Sequence, residues 1–254
     1  MKGIVPIALD GREPWSSGIW FDTLVQRISG TWDTAAQALE RTGSFKTPEV
    51  RQAARKVQEW IAAGAFGPGD LNLDYGMARS LFGEGKAAMF MMGDWEMGMA
   101  ADPEFPEEVR GHMGAFSLPA VRGGLGSTED LPSWFGGGYA VSNRSVHKQE
   151  AVRFLKWMFR PEGWAKEVWQ NGVAWPAQNY DRFLTGHESA VQRDLMEIFG
   201  RARTHSGTLT QDKFRTEPQR QYYDALQMLE ARELTPEAFV NVIENAAEKN
   251  TAAN

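Results

Sequence analysis

The first run of apolar positions, Ile4-Val5-Pro6-Ile7-Ala8-Leu9, has the length and flanking turn formers of a buried strand. Asp10 to Ser17 is rich in turn formers and reads as a loop. Residues 18–28 follow a helical period, with Phe21, Leu24, Val25 and Ile28 on one face and a stop at Gly30. A second helix starts at Thr47, with a threonine N-cap, Pro48 in the first turn and Glu49 at the positive end of the dipole. Its apolar face carries Val50, Ala53, Ala54, Val57, Trp60 and Ile61, and Gly64 is placed to end it as a left-handed cap. Residues 74–81 predict a short helix.

The stretch from Gly83 to Trp95 is the most informative in the chain. A charged, glycine-marked turn leads into a short apolar strand, 87–92, which ends at Gly93 and is followed at once by Asp94 and Trp95. Open α/β sheets bind ligands outside the carboxyl ends of their strands, so this layout delivers an acid and an indole to such an edge. A helix over 94–101 and a strand over 111–118 are expected next. A loop or crossover spans 119–132, and a glycine-rich strand spans 135–142. Residues 146–159 predict a helix with Ala151, Phe154, Leu155 and Met158 inward. Pro161 opens another, closed by Gly172. The C-terminal third is helical over about 189–200, 217–232 and 236–249. The chain is therefore α/β, with strands early and helices late.

Length and composition narrow the function. The 254 residues suffice for a buried core, as one large domain or two modest ones. The net charge of −6, with acids and bases interspersed, gives no basic stripe for nucleic acid and no polybasic membrane anchor. The absence of cysteine excludes disulfides, thiolate metal sites and cysteine nucleophiles. No apolar run approaches a membrane span, and the first residues carry no secretory h-region with a cleavage site. The ten tryptophans are the compositional bias that matters. Trp15, Trp20, Trp95, Trp134 and Trp175 sit beside turn formers and are candidates for ligand contact. Trp60, Trp157 and Trp164 lie in helical patterns and are expected in the core.

Catalytic chemistry finds little support. The four histidines are scattered, with no i, i+4 zinc pair. Asp70-Leu71-Asn72-Leu73-Asp74 starts like a calcium loop, but Tyr75 and Leu81 stand where glycine and glutamate are required. No phosphate-binding fingerprint and no Gly-x-Ser-x-Gly elbow occurs. No metal and no cofactor is expected. Glu13, Asp94 and Glu96 lie beside tryptophans, and a glycosidase needs two carboxyls. Asp94 and Glu96, two apart, diverge on a helix. A carbohydrate-active hydrolase using these carboxylates and a helical interaction domain stay open as alternatives.

Four passages together resemble family 1 extracellular solute-binding proteins of ABC importers, the group that includes maltose-binding protein. They are Lys2 to Leu9, Thr47 to Gly64, Phe82-Gly83-Glu84-Gly85-Lys86-Ala87-Ala88-Met89 through Trp95, and Phe135-Gly136-Gly137-Gly138-Tyr139-Ala140-Val141-Ser142 with Lys148 to Lys156. The resemblance implies a type II periplasmic-binding-protein-like α/β fold that lacks most of its first lobe. The C-terminal lobe would comprise 1–118 and 183–254, and 119–182 would be a crossover and a returning segment of the N-terminal lobe. It implies reversible binding of a sugar or oligosaccharide in an interlobe cleft, no enzymatic activity, a monomer, and permease subunits as partners of the full-length parent. It also implies an extracytoplasmic location, in the periplasm or lipid-anchored at the cell surface. By motif matching, Trp95, Trp15, Asp94, Gly137, Gly136, Glu13, Trp134 and Trp175 are the expected ligand contacts.

Overall fold

The computed structural model describes residues 3–134 and 138–252. They form two compact units, each drawn from separate parts of the chain. The first holds residues 1–91, 117–134 and 201–254, and the second holds 92–116 and 135–200. The expected boundaries divided the chain differently. Residues 92–116 and 183–200 group with 135–182 rather than with the rest of the chain.

In the first unit, strand β1 (Val5–Ala8) lies parallel to β2 (Ala87–Phe90), pairing Val5 with Ala87, Ile7 with Met89 and Ala8 with Phe90. Ile7 also bridges to Phe66. Helix α1 (Pro14–Ser29) starts four residues before the periodicity suggested, because Pro14 fits the first helical turn, where no N–H is needed. Trp15 therefore stands on the first turn of a helix rather than in a loop. Helix α2 (Asp33–Leu39) is short and was not foreseen. Helix α3 (Pro48–Ala62) is capped as expected, the Thr47 hydroxyl accepting from the Val50 N–H. Helix α4 (Tyr75–Gly83) is capped by Asp74. A second parallel pair joins β3 (Asp130–Trp134) to β4 (Thr204–Gly207). Helices α9 (Thr210–Lys213), α10 (Thr216–Glu230) and α11 (Pro236–Ala252) complete the unit.

The core lies where α1, α3, α10 and α11 converge. Trp20, Phe21, Leu24 and Ile28 of α1 meet Val50, Ala53 and Val57 of α3, Leu226 and Leu229 of α10, and Phe239 and Ile243 of α11. The Phe21 and Phe239 rings meet edge to face at 5.1 Å. Burial of each such side chain contributes roughly 1.5–3 kcal/mol. Arg27, fully buried, ties the 117–130 segment to α1. It donates to the Leu118 carbonyl at 3.0 Å, the Asp130 carbonyl at 2.8 Å, the Ser117 hydroxyl at 3.1 Å and the Gln26 side-chain oxygen at 2.6 Å. Burial lowers its pKa to about 10, opposed by nearby Asp130, so it stays charged. The Gly123-Gly124-Leu125-Gly126 run lies flat on this end of α1. A Cβ on Gly124 would stand 2.1 Å from the Arg27 carbonyl oxygen, and one on Gly126 would stand 2.5 Å from that of Gln26.

The second unit contains tight 3-10 turns over Asp94–Ala101, where an α-helix was expected, and helices α5 (Glu107–Arg110), α6 (Lys148–Met158), α7 (Trp164–Gln170) and α8 (Ala190–Gly200). The strand expected over 111–118 is irregular. Its backbone is claimed by side chains instead, Asp194 accepting from Ala115 at 2.8 Å and Arg27 donating to Leu118. Of the glycine-rich strand expected over 135–142, residues 135–137 lie outside the described residues and 138–142 are irregular. Trp157, expected in the core, is 57% exposed. No residue of α6 is fully buried; of its expected inward face Phe154 is exposed, while Ala151, Leu155 and Met158 are half-buried. Trp60 and Trp164 are half-buried.

Candidate functional site

Because β1 and β2 are parallel, their carboxyl ends point to one edge, and the chain leaving β1 there is held rigidly. The Asp10 carboxylate accepts from the Ser16 hydroxyl at 2.5 Å, and its carbonyl accepts from the Glu13 N–H at 2.8 Å. From one side the Arg12 N–H donates to the Leu73 carbonyl at 3.1 Å. From the other, the Gln227 amide of α10 donates to the Gly11 carbonyl at 2.9 Å.

On this platform Glu13 precedes α1 without capping it, because its carboxylate accepts from the Trp15 indole N–H at 3.2 Å. The Trp15 ring lies 6.0 Å from Tyr75 at 31°, and Tyr75 meets Phe90, the last residue of β2, edge-on at 6.1 Å. All four side chains are half-buried. The result is an aromatic shelf with a carboxylate beside it, able to offer a flat apolar face and an acceptor. Tyr75 was missed as a site residue. Its sequence context marked it only as an obstacle to calcium binding.

In the second unit Gly93, Asp94 and Trp95 follow the end of β2. The Trp95 ring folds back over Gly93 so closely that a Cβ there would lie 2.2 Å from it, which requires glycine. Trp95 is half-buried. The Asp94 carboxylate accepts from the Trp175 backbone N–H at 2.7 Å. Burial raises the Asp94 pKa, partly offset by that bond. Trp175 stacks on Phe199 at 4.4 Å and meets Trp169 and Tyr180 edge-on at 5.4 and 5.2 Å. Two expected contacts, Asp94 and Trp175, are thus directly joined, and Trp95 is next to Asp94 in the chain. Burial, with help from nearby Asp102, raises Glu96 to about 7.

Of the other expected site residues, Gly136 and Gly137 lie outside the described residues. Trp134 ends β3, its backbone in register with Gly207. A cavity of the first unit lies beside Asp22, Thr210 and Tyr222 and has about 30 Å³. That is room for roughly one water and far too little for a sugar ring. Asp22 accepts there from the Thr210 N–H at 2.8 Å and its hydroxyl at 2.7 Å, and its own burial raises it to about 6. Among the described residues no group of acids and histidines is arranged to hold a metal ion.

A parallel α/β scaffold bearing rigid aromatic shelves with polar edges suits a protein that holds a solute. The chain belongs to the bacterial extracellular solute-binding protein family, whose profile matches residues 2–163. This is the family that the four motifs resembled; it is a family of binding proteins rather than enzymes. A protein of the thermophilic bacterium Caldanaerobius polysaccharolyticus, described in connection with xylan utilization, is 25% identical with a TM-score of 0.82, over 96% of this chain and 61% of its own. A chitin oligosaccharide binding protein is 21% identical with a TM-score of 0.84, over 99% of this chain and 61% of its own. The maltose/maltodextrin-binding domain MalE from Bdellovibrio bacteriovorus, bound to maltotriose, is 17% identical with a TM-score of 0.66, over 97% of this chain and 60% of its own. The last two similarities concern the fold alone. The chain spans about 60% of the length of these solved structures, and over that portion it has the α/β periplasmic-binding-protein-like fold. No curated protein matches the chain significantly.

Proposed function

We propose that this chain is part of the substrate-binding component of an ABC-type carbohydrate importer, which grips a sugar or oligosaccharide reversibly outside the cytoplasm and presents it to permease subunits. The first unit is read as most of the C-terminal lobe and the second as part of the N-terminal lobe. The observation that carries the reading is the Glu13–Trp15–Tyr75 shelf. An indole whose N–H is already held by a carboxylate keeps its ring in one orientation before ligand arrives, which lowers the ordering cost of stacking on a sugar face. The structural likeness to a protein described with xylan utilization supports a carbohydrate ligand. Trp95, Asp94 and Trp175 supply a second set of contacts, with Gly136, Gly137 and Trp134 as further expected ones. Micromolar affinity requires about −8 kcal/mol, within reach of a few stacked rings and several hydrogen bonds.

Calorimetry with xylo-, chito- and malto-oligosaccharides tests this. Saturable binding without release of reducing ends is the expected result. Binding that Trp15→Ala and Trp95→Ala leave unchanged would reject the assigned contacts, and turnover of any oligosaccharide would reject the function.

A further inference from the structure

Three buried side chains next to the platform of the shelf leave polar atoms unanswered at one place. Glu230 ends α10 in the interior, and neither of its carboxylate oxygens has a hydrogen-bond partner among the described residues. It is faced by the Ser17 hydroxyl from the first turn of α1, by Asp10 from the chain leaving β1, and by Asp70 from the tight 3-10 turn Asp70–Asn72. The Ser17 oxygen and one oxygen of Asp10 are buried and unpartnered as well. Both charges that face Glu230 are acids, so a bound proton rather than a counter-charge keeps its carboxyl neutral.

The same groups hold the segment on which the shelf stands. Gln227, one turn before Glu230, donates to the Gly11 and Arg12 carbonyls at 2.9 and 3.3 Å, and the Arg12 N–H donates to the Leu73 carbonyl at 3.1 Å. A Cβ on Gly11 would lie 3.1 Å from the Asp70 carbonyl oxygen, so the segment rests directly on that turn. Asp10 in turn holds the Ser16 hydroxyl and the Glu13 N–H, and Glu13 holds the Trp15 indole. A charge on Glu230 would stand against Asp10 and Ser17, the two ends of the segment that carries Glu13 and Trp15. Water could reach that charge only if something moves away. Leu226 and Leu229 anchor α10 in the core, whereas residues 10–13 are held by a few hydrogen bonds, so the segment is the part that yields.

We propose that Glu230 is a proton latch: protonated, it lets residues 10–17 close over it and set Glu13 and Trp15 in place, and on losing its proton it releases them. Burial raises its pKa from 4.5 to about 8, and burial raises Asp10 and Asp70 too. Opening therefore gives up a proton between those two values and becomes easier as pH rises. The shelf is firm in acid and loosened in alkali. What this does to solute binding rests on reading the shelf as a solute contact; the latch itself is tested without solute.

Hydrogen exchange of the 254-residue chain, corrected for the intrinsic effect of pH, reads the latch. Residues 11–17 should be less protected than residues 50–57 of α3, and their protection should fall at least tenfold from pH 5.5 to pH 7.5. Glu230→Gln, which carries no titrating proton, should abolish that fall, and Glu230→Leu replaces it if the glutamine variant does not fold. Gln227→Ala should lower protection at residues 11 and 12 at both pH values and leave the fall intact, because it removes the clamp and not the proton. A calorimetric failure to bind oligosaccharides would reject the proposed function and leave these expectations standing. The latch is overturned by protection of residues 11–17 that does not change with pH, or by a fall that persists in the Glu230 variants. Exchange of residues 11–17 only in step with α3 overturns it too, because Glu230 would then act on global stability alone.

Discussion

Glu230, the last residue of α10, offers the sharpest quantitative test of the first unit. It is 4% exposed, and both carboxylate oxygens lack a hydrogen-bond partner. The Ser17 hydroxyl lies beside it but outside hydrogen-bonding geometry. Burial raises its pKa from 4.5 to about 8, the Ser17 side chain opposes this, and the charges facing it, Asp70 and Asp10, raise it further. At neutral pH the folded protein therefore keeps a proton that the unfolded chain releases. The stability that this carboxyl contributes is complete below pH 4.5 and is lost as pH rises through about 8. Each tenfold difference in proton affinity between the folded and unfolded chain is worth about 1.4 kcal/mol, so the full loss is about 5 kcal/mol. Glu230→Gln removes the titration and preserves the shape. Urea unfolding at pH 5, 7 and 8.5, followed by tryptophan fluorescence, should find the variant close to wild type at pH 5 and more stable by several kcal/mol at pH 8.5. In a chain of this size that is a Tm gain on the order of 10 °C. Equal pH slopes for the two proteins would refute the reasoning, because a neutral buried Glu230 must make them differ.

Gly124→Ala places a methyl group against the Arg27 carbonyl and should cost about 1–3 kcal/mol, read as a lower urea midpoint with an unchanged m-value. Arg27→Met keeps the packing but strips donors from the Leu118 and Asp130 carbonyls, and should destabilise the first unit by about 3–5 kcal/mol by the same measurement. Trp169→Ala empties the centre of the aromatic cluster in the second unit and should cost about 3–5 kcal/mol, detected as faster hydrogen exchange in α7 and α8. Trp15→Ala should weaken oligosaccharide binding by about 1–3 kcal/mol in calorimetry, with little change in Tm because the ring is only half-buried.

Local signals were read well where the chemistry is local. The cap at Thr47, the stops at Gly30 and Gly64, and the two apolar strands, expected over 4–9 and 87–92 and formed over Val5–Ala8 and Ala87–Phe90, depend on neighbours within a few residues. Strand β4 escaped notice because Thr-His-Ser-Gly carries no apolar alternation; its pairing is set by β3 and by the Thr204 hydroxyl donating to Asp130 at 2.6 Å. Strand β3 begins within residues read as a loop or crossover, and Pro132 is tolerated in it because the strand pairs on one side only in a two-stranded sheet. Of the shelf, Glu13 and Trp15 were legible from their place after a strand. Tyr75 was not, because it arrives from a helix far along the chain.

The order of residues alone determined most of the longer helices, the two strands that form the first pair and the family, since periodicity, caps and motif order are written along one dimension. It also offered Glu13 and Trp15 as candidates with the chemistry to touch a solute. Only the tertiary structure decided that Trp15 leans on Tyr75, that Asp94 holds the Trp175 backbone, and that Trp157 is exposed. The reason is physical: an apolar side chain at helical spacing shows that a face must be covered, but the covering surface comes from distant chain, and on α6 it leaves Phe154 and Trp157 exposed.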